Sequence, residues 1–406
     1  MPALENPTDL AAVQAALAQG NGLSASSFTP GSAAAGMVDT ALTSSKSSAA
    51  GVVAAAGVRP ANIMLFGHSH TAGQGAGTGT QGLVGGFAAG VSGQMPAALA
   101  KYGINAPNNA VHGDGNTLSV TSNAVSMAQW DTRVALGTGW ANYASGDAIG
   151  GRMPYATGAT SGKYDFAPGF QFKDVTVYFV RNAGLSTALE VYIDDVLKGT
   201  IDTSAATASV GVTTITGAGS KISLKNAGTG AVYVPRVECT PFVNTGYVFS
   251  AATRGGSVMA DISATTYVWS PGSMIPIIAP EVSIIYCMFN DVFKYTGTMP
   301  NDVATYTTAL ETILANATNR GSALLVIDPA GNVSSNFTSG VLETYTAQAI
   351  TSASKYSARI INLRDLFSRS WSTANARGLM YDGGHFNAMA AQKAANLIAR
   401  EVAKVC

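Results

Sequence analysis

The sequence predicts an α/β fold with a doubly wound, parallel five-stranded sheet, into which an antiparallel β-sandwich or jelly roll is inserted. Short apolar runs alternate with helical segments just after residue 60 and again from residue 246 onward, as in parallel sheets. Between them, over 103–245, short alternating runs are separated by Gly, Asn and Asp, which is typical of antiparallel strands. With 406 residues, the chain is long enough for both parts.

We expect three regions along the chain. Residues 1–60 are rich in Ala, Ser, Gly and Thr, and begin with a capped helix at 6–20. They form either a flexible tail or an arm that attaches to a partner chain. Residues 61–102 and 246–406 form the α/β domain, and 103–245 form the inserted sandwich.

Apolar runs and capping residues predict the individual α/β elements. The predicted strands lie at 62–66, 247–249, 282–288, 323–328 and 359–363. The predicted helices lie at 85–102, 305–318 and 341–354, with a last helix that Asn387 caps and that runs to about Val405.

Alternating runs predict the strands of the insert, at 174–180, 189–193, 221–224 and 231–234. Asp194 and Asp195 separate two of these runs, and we expect them to form a hairpin turn.

Composition excludes several classes of function. Charged residues make up 11% of the chain, and 23 basic residues balance 23 acidic ones. Without a Lys/Arg cluster we expect no nucleic-acid binding, and the overall field does not attract acidic polymers. No apolar run reaches 18 residues, so we expect no membrane span. The first residues lack the pattern of a cleaved leader, and we expect a soluble product that is not exported by one.

Cysteine usage argues against a disulfide framework. The three cysteines, Cys239, Cys287 and Cys406, have no close spacing, and Cys287 is predicted to be a buried free thiol.

Ligands of doubly wound sheets bind beyond the carboxyl ends of the strands, so the loops after the strands carry the functional hypotheses. The loop after the first strand reads Gly67-His68-Ser69-His70-Thr71-Ala72-Gly73. A serine at a strand-to-helix turn suits a nucleophile, because free backbone N–H groups surround it. The alternatives are a phosphate-cradling loop and a plain turn.

The last loop supplies an acid–base pair. Asp382 and His385 are separated by two glycines, a spacing that lets the carboxylate hold one imidazole nitrogen while the other faces outward. A histidine held in this way can act as a general base for a serine hydroxyl. A purely structural histidine is the alternative. A metal site would need more ligands than this segment offers.

Two further loops offer oxyanion donors. Gly255, in the loop after the second strand, could present an unobstructed backbone N–H, and Asn290, after the third strand, could present its side-chain amide. The alternatives are a bare turn for the first loop and a helix cap for the second.

Together these loops resemble the conserved blocks of the SGNH/GDSL hydrolases. The segment 67–73 resembles block I, G-D-S-x-T-x-G; 255–257 resembles block II; 289–291 resembles block III, G-x-N-D; and 382–385 matches block V, D-x-x-H. The resemblance covers about 61–101 and 246–406. Three residues depart from the family pattern: His68 for Asp in block I, Met288 for Gly in block III, and Ser250 where block II often has Asn.

The resemblance implies a Ser-His-Asp triad of Ser69, His385 and Asp382, with the Ser69 and Gly255 backbone N–H groups and the Asn290 side chain as the oxyanion hole. It implies neither a metal nor an organic cofactor. Whether Gly255 or Gly256 serves the hole stays open. Gly256, together with His68 and His70 beside the nucleophile, is a candidate for substrate contact, and a structural role is the alternative for the two histidines.

The family hydrolyses esters and thioesters of lipids, acyl carriers and acetylated sugars. The sequence shows no large apolar lid helix, so we favour an O-acetylesterase acting on a bacterial surface polysaccharide. Four aromatic residues of the insert either form core or stack on sugar rings: Tyr178, Phe179, Tyr192 and Tyr233. A lipase or thioesterase, and a non-catalytic carbohydrate-binding or structural virion protein, are the alternatives.

The low charge and the Ala/Ser-rich arm resemble phage tail or fibre proteins that deacetylate surface glycans. That resemblance implies a virion or extracellular location, with a cytoplasmic location as the alternative. It also implies a homotrimer or other virion subunits as partners.

Overall fold

The computed structural model describes residues 60–79, 82–112, 127–143, 148–149, 153–243, 246–338 and 340–406. The predicted helix at 6–20 lies outside these residues, as do nearly all of the predicted arm at 1–60 and the side chain of Cys287. Cys239 and Cys406 carry free thiols. Within the described ranges, no helix combines the length and the apolar character needed to cross a bilayer.

The strands, in chain order, are β1 Ala61–Gly67, β2 Ala110–Val111, β3 Val134–Leu136, β4 Ala141–Tyr143, β5 Met153–Ala156, β6 Tyr164–Phe166, β7 Phe172–Arg181, β8 Leu189–Ile193, β9 Val196–Ile201, β10 Ser209–Gly219, β11 Ile222–Asn226, β12 Val232–Tyr233, β13 Arg236–Pro241, β14 Tyr247–Thr253, β15 Val282–Cys287, β16 Ser322–Ile327 and β17 Arg359–Asn362.

The α-helices are α1 Ser69–Ala72, α2 Gly86–Ala89, α3 Val91–Ala100, α4 Met127–Trp130, α5 Met259–Ser263, α6 Pro271–Ile278, α7 Phe289–Phe293, α8 Val303–Thr318, α9 Val341–Lys355, α10 Leu363–Leu366, α11 Trp371–Ala376 and α12 Ala388–Val402.

The predicted five-stranded parallel sheet is confirmed, in the order β14-β1-β15-β16-β17. Successive side chains of a strand point to opposite faces, and both faces of this sheet are covered. Ile63 and Leu65 of β1 pack into a core that α3 and α12 complete. Met64 and Phe66 pack into a second core, which α6, α8 and α9 complete. Helices on both faces make the sheet doubly wound.

Residues between β1 and β14 form antiparallel sheets. One has the order β10-β7-β13-β2 and another the order β3-β6-β11-β8-β9; their inward side chains share one hydrophobic core. A third, three-stranded sheet has the order β12-β5-β4. Asp194 and Asp195, both with positive φ, join β8 to β9 as the predicted hairpin. This architecture agrees with the sandwich prediction, while the exact domain boundaries stay predictions.

The segment 107–111 connects the two kinds of sheet. Asn108 forms a parallel bridge with Phe249 of β14, so the segment runs along the edge of the parallel sheet. Immediately afterwards Val111 pairs with Val237 of β13 in an antiparallel sheet, and the Cys239 N–H donates to the Asn109 carbonyl at 2.8 Å.

The predicted single helix at 85–102 is wrong in detail, because the chain forms α2 and α3 with a break at Gly90. Gly90 has extended backbone angles (φ −78°, ψ 177°). A Cβ at this position would lie 2.4 Å from the Cα of Gly73. The break therefore accommodates a close backbone crossing with the loop that follows Ser69.

Candidate active site

Ser69 begins helix α1, directly beyond the carboxyl end of β1. Only 3% of the Ser69 surface is exposed. His68 is the N-cap, and the short helix ends at Gly73, whose φ is 85°. Because Ser69 is the first helical residue, its backbone N–H has no acceptor within the helix. The local fold therefore turns the serine and its own N–H toward the same edge of the sheet.

The structure brings Ser69, His385 and Asp382 together, although 316 positions separate Ser69 from His385. His385 Nε2 lies 3.1 Å from Ser69 Oγ. On the other side of the ring, His385 Nδ1 lies 2.9 Å from Asp382 Oδ2. The first distance lies within the hydrogen-bond reach that proton transfer from a nucleophile to its base requires. The second is a hydrogen bond of the kind that orients an imidazole ring.

Hydrogen bonds in the last loop fix the orientation of the carboxylate. Asp382 Oδ1 accepts from the backbone N–H groups of Gly384, at 2.7 Å, and His385, at 2.6 Å. The indole N–H of Trp371 donates to the Asp382 carbonyl at 3.0 Å. These contacts hold the loop around Asp382 in one conformation and leave the His385 ring directed at Ser69.

The electrostatics keep Asp382 ionised and His385 neutral. Burial opposes ionisation of Asp382, yet the hydrogen bond with His385 and the charge of that ring hold its pKa well below the usual range. Burial lowers the pKa of His385, against the raising effect of its hydrogen bond to Asp382. A neutral imidazole beside an ionised carboxylate is the state that can accept the serine proton.

Hydrogen bonds connect Asn290 and the loop 254–257 to the end of β1, beyond which Ser69 lies. The Arg254 N–H donates to the Gly67 carbonyl at 3.0 Å, which ties this loop to the end of β1. Asn290 Nδ2 donates one proton to the Ser257 carbonyl at 2.9 Å, and a side-chain amide carries a second proton that it can donate. Gly255 is buried in this loop, whereas Gly256 is half-buried with φ 73°.

Two of the residues that depart from the family pattern, Met288 and Ser250, lie in the turn after β15 and inside β14. Met288, where the family has Gly, has φ 120° although its side chain is buried, so the turn keeps a conformation that favours glycine. Ser250 lies inside β14, four residues before the loop that Arg254 begins. Asp291 accepts from the Met259 N–H at 3.1 Å, and burial raises its pKa to about 8.

His68 and His70, which flank Ser69 in sequence, are both buried. Both are 1% exposed, which favours the structural alternative over direct substrate contact. His68 Nε2 lies 3.1 Å from Asp328 Oδ2, and His70 Nδ1 lies 3.0 Å from Asp328 Oδ1. Sequence reasoning missed Asp328, which directly follows β16 and is fully buried. Its position at a strand end was the signal available.

His68, His70 and Asp328 are also the kind of group that can hold a metal ion, with one ligand atom from each lying within 4.8 Å of the others. However, their polar atoms already bond to one another and to the backbone. His70 Nε2 lies 2.8 Å from the Gly384 carbonyl, and the Phe289 N–H donates to Asp328 Oδ2 at 2.9 Å. These bonds favour a hydrogen-bonded cluster.

The four aromatic residues of the insert divide into two kinds. Tyr178 and Phe179 are buried and belong to the packed interior. Tyr192 and Tyr233 are half-buried. The ring of Tyr233 lies nearly parallel to that of Trp269, with centroids 6.4 Å apart, and so helps to join the insert to the α/β region.

No family model matches the chain, and no curated protein matches it. A solved structure of a peptidoglycan O-acetylesterase is similar over 89% of this chain and 96% of its own, with a TM-score of 0.61 and 14% sequence identity. A lipase/acylhydrolase from Enterococcus faecalis is similar over 39% of this chain and 76% of its own, with a TM-score of 0.31 and 18% identity. For an acetyl xylan esterase the values are 39%, 82%, 0.33 and 17%.

The first of these comparisons shows a shared fold that extends over nearly the whole of both chains. The parallel sheet, the antiparallel region and the connections between them thus have a counterpart in a solved structure.

Proposed function

We propose that this protein is a serine esterase that removes O-acetyl groups from a polysaccharide. One observation carries the proposal: Ser69, His385 and Asp382 form a hydrogen-bonded chain at the carboxyl end of the sheet, with the 3.1 Å contact between Ser69 Oγ and His385 Nε2 at its centre. Asn290 and the loop containing Gly255 add oxyanion donors beside it. The fold likeness to a peptidoglycan O-acetylesterase supports an acetyl ester on a glycan as the substrate.

The reaction would proceed in two steps. Ser69 Oγ attacks the acetyl carbonyl carbon while His385 Nε2 takes its proton, and the negative oxygen binds the N–H groups of Ser69, Gly255 and Asn290. The ester C–O bond then breaks, and His385 returns the proton to the sugar hydroxyl. Water next attacks the acetyl-serine, giving its proton to His385, and acetate leaves as the Ser69 hydroxyl is restored.

The setting belongs to the same proposal. A low-charge chain with a Ser/Thr/Gly-rich composition suits a protein that works on surface glycans outside a cell, such as a virion tail component. Assembly as a homotrimer would be measured by light scattering of the full chain.

The test is hydrolysis of p-nitrophenyl acetate by the wild type and by Ser69→Ala. We expect the variant to lose at least about 1000-fold in kcat, because it has no nucleophile. Ser354→Ala is the matched control, since Ser354 is an exposed serine of α9 that bonds only within its helix. Equal rates for the wild type and Ser69→Ala would favour a non-catalytic carbohydrate-binding module.

Substrate class is tested separately. Acetate released from O-acetylated polysaccharides would be measured by mass spectrometry, with p-nitrophenyl esters of increasing chain length in parallel. A preference for long acyl chains would favour a lipase or thioesterase instead.

A further inference from the structure

We infer that Asp328 is a positioning residue that fixes the relative positions of three loops of the proposed active site, an inference that rests on the proposed esterase function. Asp328 touches no group that would react. Each of its contacts is instead made to a residue next in sequence to one of the proposed catalytic residues.

Ser69 is held on both sides. His68, which precedes it, and His70, which follows it, each direct a ring nitrogen at one oxygen of Asp328, at 3.1 and 3.0 Å. The carboxylate therefore fixes the turn from its buried side and leaves the serine hydroxyl facing His385.

Asn290 and His385 are held through their neighbours in the same way. Phe289, just before Asn290, donates its backbone N–H to Asp328 Oδ2 at 2.9 Å. Gly384, just before His385, is reached through His70, whose Nε2 lies 2.8 Å from the Gly384 carbonyl. A single buried side chain thus connects the nucleophile loop, the oxyanion loop and the base loop.

The hydrogen bond between Phe289 and Asp328 also stabilises the strained turn at Met288. Met288 has φ 120°, a strained conformation for a non-glycine residue that persists only when its surroundings enforce it. The hydrogen bond from Phe289 to Asp328 follows immediately and helps to hold the turn.

The hydrogen bonds of the cluster depend on which atoms of Asp328 and His70 carry protons. The two imidazoles hold the pKa of Asp328 well below its usual range despite burial, so its carboxylate accepts hydrogen bonds only. His70 then lies between two acceptors, the carboxylate and the Gly384 carbonyl, and needs a proton on both nitrogens to bond both. Burial lowers the pKa of His70 and works against this state, while the bond to Asp328 supports it.

An asparagine at position 328 would keep every link without any charge. Its amide oxygen would accept from His68 and Phe289, and its NH₂ would donate to Nδ1 of a neutral His70, whose Nε2–H would still reach Gly384. Alanine would break all of these links and leave buried donors unpaired.

The experiment compares Asp328→Asn and Asp328→Ala in p-nitrophenyl acetate hydrolysis. We expect Asp328→Ala to lose about 100-fold in kcat with little change in KM, because a shift of about 1 Å between reacting groups costs that much. Asp328→Asn should stay within about fivefold of the wild type, since its hydrogen bonds are retained. His70→Phe removes the bonds of His70 to both Asp328 and Gly384 but leaves those of His68 and Phe289 to Asp328; it should also lower kcat and serves if Asp328→Ala does not fold.

Asn226→Ala is the control for general destabilisation. Asn226 is a fully buried amide that bonds Ser186, Gly158 and Gly230 within the sandwich, so its removal should lower stability and leave kcat unchanged. Equal loss in Asp328→Asn and Asp328→Ala, wild-type kcat in Asp328→Ala, or loss of wild-type activity to a metal chelator would each overturn the inference.

A second readout does not need catalysis and separates this inference from the proposed function. The chain has four histidines, so ¹⁵N-labelled histidine spectra are simple to assign. The His70 Nδ1–H signal should be present in the wild type, where Nδ1 donates to the carboxylate, and absent in Asp328→Asn, where the asparagine NH₂ donates to Nδ1 instead. If the wild type shows no Nδ1–H, the cluster is not bonded as inferred, whatever the esterase assay gives.

Discussion

Asp382 both shapes its loop and orients the proposed base. One of its oxygens accepts two backbone N–H groups from the following turn, and the other lies 2.9 Å from His385 Nδ1. By accepting a hydrogen bond from His385 Nδ1–H, Asp382 fixes the tautomer of the ring, so the lone pair of Nε2 faces Ser69. A side chain of the same shape without the charge would keep the turn and lose this control.

Asp382→Asn should therefore lower kcat by about 10³–10⁴-fold, because the ring is no longer held in the reactive tautomer. It should also move the acidic limb of the kcat/KM profile to lower pH. Burial lowers the pKa of His385 and Asp382 partly raises it again, so removing the carboxylate lowers the pKa further. pH–rate profiles check this, with Asp365→Asn, at an exposed carboxylate, as control. A limb that moves to higher pH would contradict the assignment.

At the level of single residues, local sequence patterns identified the triad candidates but did not identify Asp328, the residue that connects their loops. Ser69, Asp382 and His385 each belong to a short pattern after a strand, which local reading detects. Asp328 has no such pattern: 258 positions separate it from His70, and only the pairing of β15 with β16 brings it beneath the site.

Helix α1 and the α2–α3 break meet through backbone rather than side chains. Gly73 closes α1 with φ 85°, and a Cβ there would lie 1.7 Å from the Gly86 carbonyl oxygen. Since the neighbouring atoms are main chain, they cannot rotate away. The position of Ser69 thus depends on a contact that only glycine permits.

Gly73→Ala should destabilise the protein by about 3 kcal/mol or more, through strain at positive φ plus steric overlap with backbone. Gly85→Ala is the matched comparison: Gly85 has φ 67°, but a Cβ there would meet nothing within 4 Å. It should cost only the 1–2 kcal/mol or so of the left-handed conformation. Urea unfolding measures both free energies, and equal losses would show that the crossing does not constrain the fold.

Elements that have a clear local pattern were predicted well, whereas the break between α2 and α3, which depends on this crossing, was not. Buried strands such as β15 and β16, and helices with clear caps such as α12, follow from local apolar patterns. The interruption at Gly90 follows from contact with Gly73, seventeen positions earlier, and no local pattern encodes it.

A buried charged cluster joins the sandwich to the parallel sheet. Arg236 of β13 is fully buried and contacts the His112 ring, Glu238 at 2.7 Å and Ser250 of β14 at 3.4 Å. His112 must be neutral to accept from the guanidinium. Burial, reinforced by the charge of Arg236, holds the pKa of His112 well below its usual value.

This junction should weaken in acid. Unfolded His112 binds a proton near pH 6.5 and folded His112 does so only at lower pH, so its contribution to stability is complete above about 6.5 and is lost as pH falls below it. His112→Gln retains an acceptor for Arg236 without titrating. The drop in Tm between pH 7.5 and 5 should be smaller in His112→Gln than in the wild type; an equal drop would exclude His112 as the cause.

Segment 107–111 borders both kinds of sheet, and the strands that flank the insert, β1 and β14, are neighbours in the parallel sheet. The sandwich is therefore a side branch: the chain leaves and rejoins at almost one point, and the order of the five parallel strands does not depend on what lies between. Because both ends of the insert lie at one edge of the parallel sheet, insertions or deletions within it can change its surface without moving β1 and β14 apart.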